Sequence, residues 1–126
     1  MKNQRKKEIK KSKFIKLYIY IILTIIYMDK NKNLVSLDKL KQIAIDKGIN
    51  KYILEIGYSN KKYKKYYVIT IDNKRVDFGD IRYNDYNTFD EKIKDEKRRL
   101  FRARFNKLFK KTNFNKPLYY SYQLLW

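Results

Sequence analysis

The chain contains no cysteine and no histidine among its 126 residues. Disulfides, thiolate metal sites, iron–sulfur clusters and zinc fingers are therefore excluded. A Ser-His-Asp or Cys-His nucleophile and a histidine general base are excluded with them. Glycine occurs three times and proline once, so breaks in regular structure must come from Asn, Asp, Ser and Lys turns. Acidic residues are scarce as well: 13 Asp and Glu face 32 Lys and Arg, a formal net charge of +19. Such a field attracts nucleic acid, an anionic membrane or an acidic protein surface.

What is plentiful is Lys, Asn, Ile, Tyr and Phe, the residues of AT-rich codons, so codon drift competes with selection as the source of the lysines. Arginine discriminates better, because that drift favours Lys over Arg. Only seven arginines occur, and Arg98, Arg99, Arg102 and Arg104 fall within seven residues.

The length allows one modest core. Residues 1–27 differ from the rest. Met1 to Lys13 holds six Lys, one Arg and one Glu, a composition that resists folding alone. Leu17 to Met28 is then an uncharged run of twelve residues, shorter than the ~20 needed to span a bilayer as a helix. Three readings compete for this leader: translated spacer ahead of a start at Met28, a signal or membrane-anchoring segment over 14–28, or a packed strand. From Met28 to Trp126, 24 basic and 12 acidic residues leave +12, so the basic character does not depend on the leader. The expected organisation is a leader, 1–27, and one basic α+β domain, 28–126.

Within that domain the local signals predict a short helix over 37–47, capped by Ser36, stapled by Val35 against Leu40 and stopped by Gly48. Strand formers at 52–58, 63–71 and 75–78, separated by turns at 59–62 and 72–74, predict a three-stranded antiparallel meander. Alternation in the second strand sets Lys65, Tyr67, Ile69 and Ile71 against Tyr66, Val68 and Thr70. Thr88-Phe-Asp-Glu91 reads as a capping box opening a long helix to about Lys110. Its apolar side (Phe89, Ile93, Leu100, Phe101, Phe105, Leu108) should lie on the sheet, with Arg99, Arg102 and Lys110 in solvent. Pro117 stops the helix, and the aromatic segment 118–126 should dock on the core.

Three constellations could carry chemistry. The first is the helix stripe Arg98, Arg99 and Arg102 with Lys94, Lys107, Lys110 and Lys111, which suits bidentate phosphate contacts; the competing reading is a solvated face with Asp95 paired to Arg99 and Arg102. In the second, Lys61, Lys62, Lys64 and Lys65 interleave with Tyr63, Tyr66 and Tyr67, a pattern that holds a strand by charge and stacking or else fills a core and guards a sheet edge. Third, Asp80, Asp85 and Asp90 could gather Mg²⁺, but Asp90 suits a helix start and Asp80 or Asp85 suits a buried Arg104. No cofactor or metal is expected, nor an enzyme.

Ser59-Asn-Lys-Lys62, Tyr66-Tyr-Val68, Val76-Asp-Phe-Gly79, Asp85-Tyr86, Asp95-Glu-Lys-Arg98, Phe101-Arg-Ala-Arg104 and the closing Leu124-Leu-Trp126 form an ordered series. It resembles a family of small basic proteins of unknown function encoded by large nucleocytoplasmic DNA viruses, the giant viruses, over about Tyr58 to Trp126. Family members carry His ahead of the Asp-Glu-Lys-Arg stretch and after the final Arg, where this chain has Phe89 and Phe105, so no His-dependent role carries over. The resemblance implies a virus-encoded protein located in the virion or the infected cell. Together with the charge it gives two expectations: a nucleic-acid binder of low sequence preference using Arg98, Arg99, Arg102, Lys61, Lys62, Lys64, Lys65 and Lys110, or a minor capsid protein whose Tyr119, Tyr120, Tyr122 and Trp126 enter an acidic coat-protein neighbour. Membrane anchoring through 14–28 is the third.

Overall fold

The computed structural model describes residues 12–23 and 33–126, which belong to two separate units. In the first, residues 12–23 form helix α1, with every side chain exposed. No helix among the described residues is long and apolar enough to cross a membrane. The start at Met28 and the basic residues 1–11 lie outside the described residues, as does part of the 14–28 segment.

In the second unit, α2 (Leu37–Asp46) begins where Ser36 Oγ accepts the Lys39 N–H at 3.2 Å. It ends in a Schellman motif, with Gly48 N–H donating to Ile45 O and Ile49 N–H to Ala44 O. Gly48 has φ +70°, a left-handed conformation that L side chains rarely adopt. Leu40, Ala44 and Ile49 thereby enter the core. Tight turns then join β1 (Ile53–Tyr58), β2 (Lys64–Thr70) and β3 (Arg75–Asp80) into an antiparallel meander in that order. Its register sets Ile56 opposite Val68, Val68 opposite Val76 and Tyr66 opposite Phe78, so one face is continuously apolar.

That face is covered by α2 and by the C-terminal segment, α4 (Pro117–Tyr120) running into a π-turn over Ser121–Leu125. Tyr120, Leu124 and Leu125 are buried there. Rings of Tyr58, Tyr66, Phe78 and Tyr120 meet in succession at centroid distances of 5.9, 5.7 and 5.6 Å, carrying aromatic packing through the core. The expected α+β architecture, with its meander, long helix and docked aromatic segment, is the one the chain adopts.

Helix α3 (Lys94–Lys111) differs from expectation in two respects. It begins at Lys94, six residues beyond the Thr88 box, because the Thr88 hydroxyl accepts the Asp85 N–H at 2.9 Å and so serves the preceding loop. Asp90 supplies the entry instead, its carbonyl accepting from Lys94 N–H. The helix is also rotated. Leu100 and Leu108 are half-exposed, while Arg98, Phe101, Arg102, Phe105 and Phe109 turn inward. The inward rings lie on the C-terminal aromatics, Phe101 on Trp126 at 4.6 Å and Phe109 on Tyr122 at 4.0 Å, both nearly parallel. Flat rings and guanidinium planes match that surface better than branched leucines do. No α3 residue is fully buried, and its rings pack on Tyr119, Tyr122 and Trp126 of the C-terminal segment.

Candidate nucleic-acid interface

The structure separates the arginine stripe. Arg98 lays its guanidinium 3.2 Å from the Tyr86 ring centre, and Arg102 donates from Nη2 to the Trp126 carbonyl at 2.9 Å. Neither projects from an open helix face; both hold α3 against the loop and the C-terminal segment. Arg99 points outward but is paired through Nη2 with Glu96 at 2.6 Å, not with Asp95, whose carboxylate accepts from the Tyr86 hydroxyl. Lys110 is exposed in the last helical turn, where positive charge complements the carbonyl end of the helix. Arg104, expected to need a buried acid, is exposed, and the two acids expected to serve it are otherwise engaged.

Of the hairpin lysines, Lys65 is withdrawn from the interface. Its side chain is 1% exposed and its ammonium meets Asp85, 3% exposed, at 2.7 Å. Strand alternation places Lys65 away from the core face, but the loop after β3 folds over that position and encloses it. Burial pushes the Asp85 carboxyl up from its ordinary value against the opposing pull of Lys65. Asp80 pairs with Arg82, and Asp90 accepts the Lys92 N–H, so each acid of the candidate Mg²⁺ group has a structural partner. No three metal-ligating side chains converge among the described residues.

Lys61, Lys62 and Lys64 remain at the β1–β2 turn. Lys61 reaches Asp77 at 3.1 Å, where Arg75 and the Ser59 hydroxyl also converge. Burial opposes ionisation of Asp77, but hydrogen bonds from Arg75, Ser59 and Lys61 outweigh it and hold the carboxyl at about 2. This anchor fixes the base of the turn. Above it Tyr63 adopts φ +63°, and its carbonyl accepts the Ile81 N–H at 2.8 Å, tying the turn to the loop after β3.

That tie brings in a residue that sequence reasoning missed. Arg82 stacks 4.1 Å from the Tyr63 ring and 5.7 Å from Tyr83, while Lys62 lies 4.9 Å from Tyr63 on its own side. Asp80 clamps Arg82 through Nε and Nη2, fixing the guanidinium plane. Tyr63 is 44% and Tyr83 64% exposed. The only sequence signal was an Arg-Tyr pair in a turn, ordinary until the fold placed it against Tyr63. The result is a ladder of Lys62, Tyr63, Arg82 and Tyr83 on the protein surface, flanked by Lys61 and Lys64.

The expected intermolecular anchors are otherwise committed. Tyr120 is fully buried, and Tyr119, Tyr122 and Trp126 are partly buried against Tyr52, Phe109 and Phe101. Comparison with protein-family models, with curated proteins and with solved structures finds no match to this chain.

Proposed function

We propose that the chain is a non-enzymatic, virus-encoded protein that binds nucleic acid, and that it holds a single strand across the ladder at the β1–β2 turn. The observation that supports this reading most is the pair of exposed rings, Tyr63 and Tyr83, with Arg82 between them. Bases stack on exposed aromatic rings at about 1–3 kcal/mol each without demanding a sequence, and nearby lysines follow the phosphates. Lys61, Lys62, Lys64, Arg75 and Arg82 outnumber Asp77 and Asp80 in this region, so the local field stays positive. The inward arginines contribute structure to this reading, not contacts. The capsid-protein alternative is weakened, since the aromatic segment on which it relied is packed inside the domain.

The test is a salt titration of binding to single- and double-stranded DNA by the full chain. Tyr63→Ala/Tyr83→Ala should lose single-strand affinity by at least ~10-fold with the salt slope retained. Lys62→Ala should instead make the slope shallower by about 0.7, the value of one phosphate on a single strand that is no longer neutralised. Equal affinities for the intact chain and both variants, all folded, would remove the ladder from the binding site.

A further inference from the structure

A second feature shares no residue with the ladder. Between α2, the loop over 85–91 and α3 lies a cavity of about 320 Å³. Its apolar walls include Ile43, Phe89, Leu124 and Trp126, and Lys47 and Arg98 project into its boundary. Among the described residues neither cation meets a carboxylate. Lys47 donates to the Gln123 carbonyl, and Arg98 rests on Tyr86. The Nε–H of Arg98 is buried with no acceptor, and so is that of Arg102, whose Nη2 holds the C-terminal segment behind the cavity. The acids at the rim are occupied: Asp46 accepts from Gln42 at 2.9 Å, and Glu91 pairs with Lys94 at 2.9 Å. Lys39 adds a further cation to the lining.

An unmade hydrogen bond on a buried charged donor is expensive, and like charges held close together repel. An anion seated between Lys47 and Arg98 would relieve that repulsion. We infer that this cavity is a phosphate-binding site, in which the oxygens of a phosphate monoester take the free donors of Arg98 and Lys47 and the apolar walls receive the group it is attached to. Guanidinium and ammonium together suit a dianionic phosphate, one giving a planar fork and the other a point charge. The same chemistry is offered by inorganic phosphate and by a nucleoside 5′-monophosphate, and only the second would use the Phe89 and Trp126 walls.

The environment of Lys47 agrees with this assignment. Lys47 is an exposed residue, but partial desolvation of its ammonium at the cavity, followed by repulsion from Arg102 and Arg98, lowers its pKa to about 8. A phosphate monoester, the nucleotide included, becomes a dianion near pH 6. Affinity should therefore rise as pH climbs through about 6 and fall above about 8, as Lys47 loses its proton. Asp46, Glu91, Lys39 and Lys94 face the same space, and the Tyr86 hydroxyl donates a hydrogen bond to Asp95.

Trp126 is the sole tryptophan and lines the cavity, so its fluorescence reports occupancy directly. The full chain is titrated with inorganic phosphate and with a nucleoside 5′-monophosphate, using sodium chloride at matched ionic strength as control. A saturable response to either phosphate and none to chloride is expected. Tighter binding of the nucleotide would identify it as the better ligand, and equal binding would identify phosphate itself. Lys47→Met should weaken binding by at least ~10-fold and abolish the alkaline fall. Arg98→Met should weaken it similarly. Should Arg98→Met not fold, Lys47→Met decides alone, because Lys47 is an exposed residue just after α2. The inference is overturned if neither phosphate is bound, if chloride gives the same response, or if folded Lys47→Met binds as the parent does with the same pH profile.

Discussion

Replacing Asp85 with Asn tests the buried Lys65 pair and, with it, the removal of Lys65 from the proposed nucleic-acid surface. The substitution keeps the shape of the side chain and an oxygen able to accept the Asn87 N–H, which Asp85 Oδ1 now takes at 2.8 Å. The other oxygen, which accepts from Lys65 at 2.7 Å, becomes an amide N–H2 donor, so both the charge and the acceptor opposite an ammonium that is 1% exposed are lost. Stranding a buried charge in this way costs about 3–5 kcal/mol, a large part of the 5–15 kcal/mol that typically separates folded from unfolded. With a urea dependence of about 2 kcal/mol per molar, the midpoint should fall by roughly 2 M at unchanged slope. Lys65→Met alone should cost less, because Asp85 can take up a proton. Its folded pKa is already raised, so that deficit should grow as pH rises from the ordinary carboxylate range through the folded pKa, level off above it, and shrink again as pH falls. Combining Lys65→Met with Asp85→Asn removes both charges and should restore stability to within about 1 kcal/mol of the parent. Nucleic-acid affinity and its salt slope should be unaltered in the double variant. A loss below about 1 kcal/mol in Asp85→Asn, or a salt slope that changes when Lys65 is removed, would refute the burial argument.

Three further outcomes follow from the same geometry. Asp77 is held at about 2, so its stabilisation is present above the ordinary carboxylate range near 4 and is lost as pH falls toward 2; Ser59→Ala should move that acid transition upward in a far-ultraviolet CD titration. Gly79 has φ +78°, and a Cβ there would stand 2.9 Å from Leu125 Cδ1, so Gly79→Ala should cost about 2 kcal/mol in chemical denaturation. Ser36→Ala removes the cap on the Lys39 N–H and should cost about 1 kcal/mol.

The elements that the sequence made legible are those decided within a few residues. Ser36, Gly48 and the Asp72-Asn73-Lys74 turn act on their own neighbours, and strand alternation grouped Tyr66, Val68 and Thr70 on one face, which is the face the fold buries. Failures came where a distant segment chose. Lys65 alternates as an outward residue, and only the loop at 85 makes it an inward one. The face of α3 was fixed by Tyr86 and the rings of Tyr122 and Trp126, which no helical period within 94–111 contains. Likewise Thr88 had two possible clients, and the nearer Asp85 took it. The candidate site shifted for the same reason: Tyr63 and Arg82 are 19 residues apart and meet because β2 and β3 pair antiparallel, with Lys64 opposite Asp80.

The covering of the sheet by α4 and the π-turn sets a temporal order on the life of the chain. On the ribosome α2 and the meander emerge first, with Ile56, Val68, Val76 and Phe78 already patterned to one side. The residues that close over them, Tyr120, Leu124 and Leu125, are made about forty positions after β3. Until then the nascent sheet presents an uncovered apolar face and two open strand edges, the form of intermediate most prone to pairing with another copy. Thirty-two basic side chains would set such copies repelling one another during that wait. The net positive charge would then act before folding is complete, as protection for a core whose last pieces arrive late.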